Sequence, residues 1–74
     1  MPLINVRLIE GVFDEDEKQL MIEKLTDAMV DIEGENMRGV TWVVIDEVKS
    51  GDWGMGGQSV SAGKVRSLRT GVPA

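Results

Sequence analysis

The sequence predicts an α+β fold: a single short β-α-β unit with parallel strands, then a C-terminal β-hairpin, the whole assembled into an oligomer. Three observations predict it. "LINVRLI" near the start and "WVVI" in the second half are runs rich in β-branched residues and leucine. Between them lies a stretch with apolar residues at helical spacing. After them, "GDWGMGG" alternates large apolar residues with glycine and carries a Gly-Gly turn signal.

Size and composition explain why an oligomer is expected. A chain of 74 residues builds one domain with a small core, so 1–74 is read as a single domain. It has no cysteine to form disulfides or thiolate metal sites. It has no histidine either, which removes the commonest metal ligand and the commonest general base. No metal site or cofactor is read from the sequence. Apolar residues make up 42%, too many for a disordered chain. A small, apolar, unstapled domain usually completes its burial against partner subunits. The formal charge of -5 argues against nucleic acid or an anionic membrane as the main partner. There is no apolar run of membrane-spanning length, and Arg7 interrupts the N-terminal apolar stretch, so neither a transmembrane helix nor a signal peptide is read and a cytoplasmic location is expected.

The elements follow in order. Residues 3–9 form the first strand, with polar Asn5 and Arg7 on alternate positions. Pro2 precedes it, where a missing N–H costs no ladder bond. Asp14 is placed as a helix N-cap, with Glu17 three positions on completing a capping-box pattern. The run Asp14–Glu17 also suits the positive end of the helix dipole, although such a run is equally a solvated face. Met21, Leu25, Ala28 and Ile32 share one helical face and read as core. Gly34 is the expected C-terminal cap. Residues 40–47 form the second strand. Its centre is apolar on both faces, as for a strand covered by a helix on one side and another subunit on the other. Strand, helix and strand within this length give a right-handed parallel unit.

The segment from residue 49 carries five glycines between 51 and 63. A flexible terminus is the plainer reading. The alternation of Trp53 and Met55 with small residues favours a short hairpin whose large side chains dock on a neighbouring subunit. The "GMGG" run lacks the G-K-[ST] ending of a phosphate loop. Residues 64–74 are read as a C-terminal tail with no assigned element.

"PLINVRLIEG", the acidic helix start, the apolar second strand and "GDWGMGG" together resemble the 4-oxalocrotonate tautomerase family, from Pro2 to about Val60. The resemblance implies a hexamer built as a trimer of dimers. It also implies that removal of Met1 exposes the Pro2 nitrogen as a secondary amine, the catalytic general base that moves a proton in a small enol or unsaturated keto acid. Such an amine must be neutral to accept a proton, so its site must lower its pKa through apolar surroundings and nearby cations. By the same resemblance Trp53 stands where the family has its active-site aromatic. As a plain structural residue it would be an interface anchor.

Two departures bear on the substrate. Members of the family carry an arginine just after the "EG" that ends the first strand, and here that residue is Val12. They carry a second early in the second strand, and here it is Trp42. Neither replaces a bidentate guanidinium. Trp42 points to a more apolar or aromatic substrate, and Arg38, just before the second strand, ranks first as a substitute carboxylate partner. Arg7, Arg66 and Arg69 follow, each more commonly a solvated charge. The candidate site is therefore Pro2 as base, with Trp53, Trp42 and Arg38 binding substrate. Alternatives are a hydratase, dehalogenase or decarboxylase of the same superfamily, or a non-catalytic subunit of a hetero-oligomer.

Overall fold

The computed structural model of the chain describes residues 1–71. Its elements are β1 (Leu3–Ile9), α1 (Glu15–Glu33), a 3₁₀-helix (Glu35–Val40), β2 (Trp42–Val48), β3 (Trp53–Met55), β4 (Gln58–Val60) and α2 (Ala62–Thr70). β1 pairs with β2 in one two-stranded sheet and β3 with β4 in another. The β1–β2 pair is parallel: the Trp42 N–H donates to the Pro2 carbonyl at 3.0 Å, and the Glu10 N–H donates to the Val48 carbonyl at 2.7 Å. This is the β-α-β unit with an appended hairpin that the sequence predicts.

The residues form two compact units. The first comprises Met1–Val6 and Glu15–Asp46. Here α1 begins at Glu15, which puts Asp14 at the cap position, with Glu15, Asp16 and Glu17 in the first turn. These carboxylates lie where the unpaired N–H groups concentrate positive potential. The helix ends at Gly34, whose N–H donates to the Val30 carbonyl at 2.8 Å. Its φ of 103° and ψ of 150° lie in a region that is essentially glycine's alone.

Two expectations for this unit need correction. β2 starts at Trp42 and runs to Val48, not from 40 to 47, because residues 35–40 wind into the 3₁₀-helix. Thr41 ends that turn: its N–H donates to the Arg38 carbonyl at 3.2 Å, and its hydroxyl lies 2.8 Å from the Met37 carbonyl and 2.5 Å from Glu33 Oε2. The core stripe of α1 also departs from the expected line in its second half. Met21 and Leu25 are half-buried as expected, together with Ile22, Thr26 and Met29, and Val30 is its buried residue, whereas Ala28 and Ile32 are exposed, Ile32 at 83%. Apolar residues occupy a wide arc of this helix, and towards its C-terminal end the packing in this chain covers the side carrying Thr26, Met29 and Val30 and not the side carrying Ala28 and Ile32. Thr26 is tolerated in mid-helix because its hydroxyl donates to the Ile22 carbonyl at 2.7 Å.

On β1 and β2, Asn5 Nδ2 donates to Asp46 Oδ2 at 2.8 Å, which sets both on one sheet face. By the period of two, Leu3, Trp42 and Val44 share that face, and all three are exposed.

The second unit comprises Arg7–Asp14 and the chain from Glu47 onward. Its core is Ile9, Val12 and Ala62, with Phe13, Trp53 and Val65 packed against it. β3 and β4 are antiparallel, with Trp53 opposite Val60 and Met55 opposite Gln58. Gly56 and Gly57 form the two-residue turn at φ 58° and 83°. Positive φ at both positions marks a type I′ turn, whose twist matches the strands and which only glycine, asparagine and aspartate enter readily. Val60 is buried and Met55 is exposed.

The segment 64–74 contains a helix that the sequence reading did not assign. Ser61 caps α2 by accepting from the Lys64 N–H at 3.2 Å. Gly71, in the left-handed conformation, closes it by donating to the Leu68 and Ser67 carbonyls. The signal was present in the Ser61 to Gly71 bracket around Val65 and Leu68, but Gly63 and four polar neighbours weakened the helical pattern. Residues 72–74 of the expected tail lie outside the described residues.

Candidate active site

Pro2, Trp42 and Arg38 belong to the first unit. Pro2 heads β1, is partly buried, and is held at its carbonyl by the Trp42 N–H at 3.0 Å. The backbone of β2 thus fixes the residue whose nitrogen is of interest, while that nitrogen is excused from the ladder because proline has no N–H to pair. The Trp42 side chain is 56% exposed on the face it shares with Leu3 and Val44.

Arg38 is engaged by carboxylates of its own chain. Its Nε and Nη2 donate to the two carboxylate oxygens of Glu35, at 2.7 and 3.1 Å, and its Nη1 donates to Asp27 Oδ1 at 2.8 Å. Three of its five N–H donors are occupied in this way. The hydrogen bond from Arg38 holds the Glu35 carboxyl below the usual glutamate value, while the bonds to Glu35 and then Asp27 push the guanidinium further up. A substrate carboxylate at Arg38 has to share the guanidinium with these two or displace one of them.

Trp53 belongs to the second unit, where it is half-buried and lines a cavity of about 230 Å³. Phe13, Met55, Val60, Val65 and Arg7 line it as well, with the last two residues of β1. Hairpin register explains the wall: Trp53 and Met55 point to one face of β3, and Val60 lies directly across from Trp53.

Val12 is 8% exposed and packs with Ile9 and Ala62. Its side chain is part of the core, and the first residue of α2 lies against it. Arg66 and Arg69, expected in a tail that reaches a neighbour, instead serve their own chain. Arg66 Nη1 donates to the Gly11 carbonyl at 2.8 Å, and Arg69 Nη1 to the Val12 carbonyl at 3.4 Å. The Arg69 guanidinium also lies over the Phe13 ring, 4.7 Å from its centroid. Sequence reasoning missed Phe13 as a cavity wall, since no periodic pattern includes a residue between a strand and a helix cap.

Among the described residues no group of three or more acidic residues is placed to hold a metal ion. No helix among them is long and apolar enough to cross a membrane.

Comparison with known proteins bears on the family and the fold. The family model described as "Tautomerase enzyme" matches residues 2–63. A protein of Dickeya dadantii named probable tautomerase K2 is 45% identical over 62 residues, which covers 82% of this chain and 90% of the relative. A probable tautomerase of Helicobacter pylori is 40% identical over 62 residues, covering 81% of this chain and 90% of the relative. The crystal structure of DmpI from Helicobacter pylori superposes with a TM-score of 0.69 at 39% identity, over 80% of this chain and 95% of that one. That of apo unfused 4-OT gives 0.72 at 29% identity, over 80% and 93%. A match across nearly all of the β-α-β unit and hairpin, in sequence and in fold, makes this chain a member of the 4-oxalocrotonate tautomerase family.

Proposed function

We propose that the chain is a tautomerase that moves a proton in a small enol or unsaturated keto acid, with the Pro2 amine, exposed by removal of Met1, as general base. The observation that carries this reading is the anchoring of Pro2 at the head of β1 by the Trp42 N–H. A base fixed on a strand keeps its lone pair in one position, and positioning of this kind is a large part of proton-transfer catalysis. Membership of the tautomerase family supports the same reaction class.

Trp42 and Trp53 are proposed to contact the substrate, and Arg38 to share its guanidinium with one substrate carboxylate. A second carboxylate beside Trp42 is desolvated without compensation, so dicarboxylates are poor substrates and a ring-bearing monocarboxylate is preferred. We also propose a homohexamer arranged as a trimer of dimers. The exposed face carrying Leu3, Trp42 and Val44, together with Ile32 at 83% and Met55 at 64% exposure, supports association.

The test is ketonisation of an aryl enol-pyruvate by the mature protein, with intact mass establishing that Met1 is absent. Pro2→Ala is expected to lose most of the activity. An unchanged rate would make Pro2 a strand opener and nothing more. Sedimentation at micromolar concentration is expected to show the hexamer, and a stable monomer would sink the assembly proposal.

A further inference from the structure

We propose that Thr41 is a positioning residue for the proton transfer: its hydroxyl latches the head of β2 to Glu33 at the end of α1, and through the Trp42 N–H this latch holds Pro2 in place. The inference deepens the proposed function, and it rests on that reading for the reaction that Pro2 performs.

The contacts all lie within the first unit. Trp42 is the first residue of β2, and its N–H meets the Pro2 carbonyl at 3.0 Å. The direction of that N–H is set by the residue before it, because the Thr41–Trp42 peptide is planar and turns with the Thr41 ψ of 120°. Thr41 is therefore the point from which the head of the strand is steered. Its hydroxyl lies 2.5 Å from Glu33 Oε2 and 2.8 Å from the Met37 carbonyl, and its N–H donates to the Arg38 carbonyl at 3.2 Å. A hydroxyl has one proton to give. The shorter contact is to a carboxylate and is the stronger of the two. It spans eight residues of sequence and so closes the whole turn between α1 and β2.

A second tie joins the same turn to α1, from Arg38 Nη1 to Asp27 Oδ1 at 2.8 Å. It is the weaker anchor. The Arg38 and Asp27 side chains are 44% and 62% exposed, so water and salt screen the pair, and a long side chain must be ordered to make it. Thr41 and Glu33 are both half-buried, and threonine is stiff at χ1. If Arg38 leaves Asp27 for a substrate carboxylate, the Thr41 latch is the tie that remains. Thr41 is also extended, a conformation that valine favours, so the hydroxyl can be removed with the backbone and the side-chain shape kept.

The experiment reads the mature protein in two ways: amide hydrogen exchange without substrate, and turnover of the aryl enol-pyruvate. Thr41→Val is expected to speed exchange of the Trp42 amide about ten- to a hundredfold, as for loss of a hydrogen bond to a charged group. The amides of Val44 and Ile45 are expected to keep the parent's rates, which shows that the fold is retained. In turnover Thr41→Val is expected to lower kcat about ten- to a hundredfold and to leave KM within about twofold, because substrate still binds but the base is displaced. Thr41→Ser keeps the hydroxyl and is expected to restore both readings. Glu33→Ala removes the acceptor and is expected to reproduce Thr41→Val, so the latch is read from its other side should Thr41→Val not fold. The double variant is expected to be no worse than either single one, since both break the same bond. Parent-like Trp42 exchange in Thr41→Val and Glu33→Ala, failure of Thr41→Ser to restore it, or a raised KM with kcat unchanged overturns the proposal. A parent-like rate in Pro2→Ala refutes the base instead; the exchange readings do not depend on turnover, so the two failures are told apart.

Discussion

Substituting Val12 by arginine puts back the residue type that the resemblance associates with this position, and the structure predicts that it harms the protein rather than improving it. Val12 is 8% exposed, between Ile9 and the first residue of α2. Losing its burial costs about 1.5 kcal/mol or more. A longer side chain forced into the same space adds about 1–3 kcal/mol of overpacking, which falls partly on Ala62. An unpaired guanidinium does not stay inside, because an isolated buried charge costs several kcal/mol, so the side chain escapes by displacing the start of α2. The expected loss is about 2.5–4.5 kcal/mol. At about 4–8 °C per kcal/mol for a domain of this size, Tm falls by roughly 10–35 °C. The assay is thermal unfolding by circular dichroism at fixed protein concentration, alongside turnover of a dicarboxylate dienol. A variant that melts within a few degrees of the parent and gains dicarboxylate activity would refute the reasoning, since it would mean that the position 12 side chain reaches a substrate without disturbing α2.

Three further outcomes are expected. Val60→Ala removes two buried methyl groups opposite Trp53, and at about 0.8 kcal/mol each with a cavity term added it costs about 2 kcal/mol in urea unfolding; a cost under about 0.5 kcal/mol would contradict its burial. Gly34→Ala forces an L-residue to φ 103° with open space around its Cβ, so its cost of about 1–3 kcal/mol comes from backbone conformation alone, and a neutral result in the same assay would show that the chain relaxes there. Glu35, whose carboxyl is held below the usual value by the hydrogen bond from Arg38, contributes stability that is present above the unfolded value near 4.5 and is lost as pH falls through the lower folded value; in Arg38→Gln the Glu35 carboxyl, followed by carbon NMR, should titrate at higher pH, and an unmoved titration would remove the pairing.

The order of elements was legible in the sequence because it depends on local chemistry. β1 runs from Leu3 to Ile9 as its period-two pattern requires. Gly34 ends α1 and Gly56-Gly57 turns the hairpin, because few other residues enter those backbone conformations. The base role of Pro2 comes from the family resemblance and stands as a proposal; its place at the head of β1 suits a strand opener equally well. What only the tertiary structure decided was which side of each element faces what. Periodicity says that α1 has an apolar arc, yet the packing selects the side near Val30 and leaves Ile32 outside. Spacing puts Arg38 beside β2, yet its guanidinium is turned to Glu35 and Asp27, because carboxylates close in sequence and in space reach it first. Position 12 reads as a lost arginine, and the structure shows a core residue under Ala62. Arg66, Arg69 and Val65 read as a tail, and α2 sets them on Gly11, Val12 and Phe13, more than fifty residues away along the chain. Separations of that length carry no local signal: they are fixed only when burial of Ile9, Val12 and Ala62 together brings the two ends of the second unit into one core.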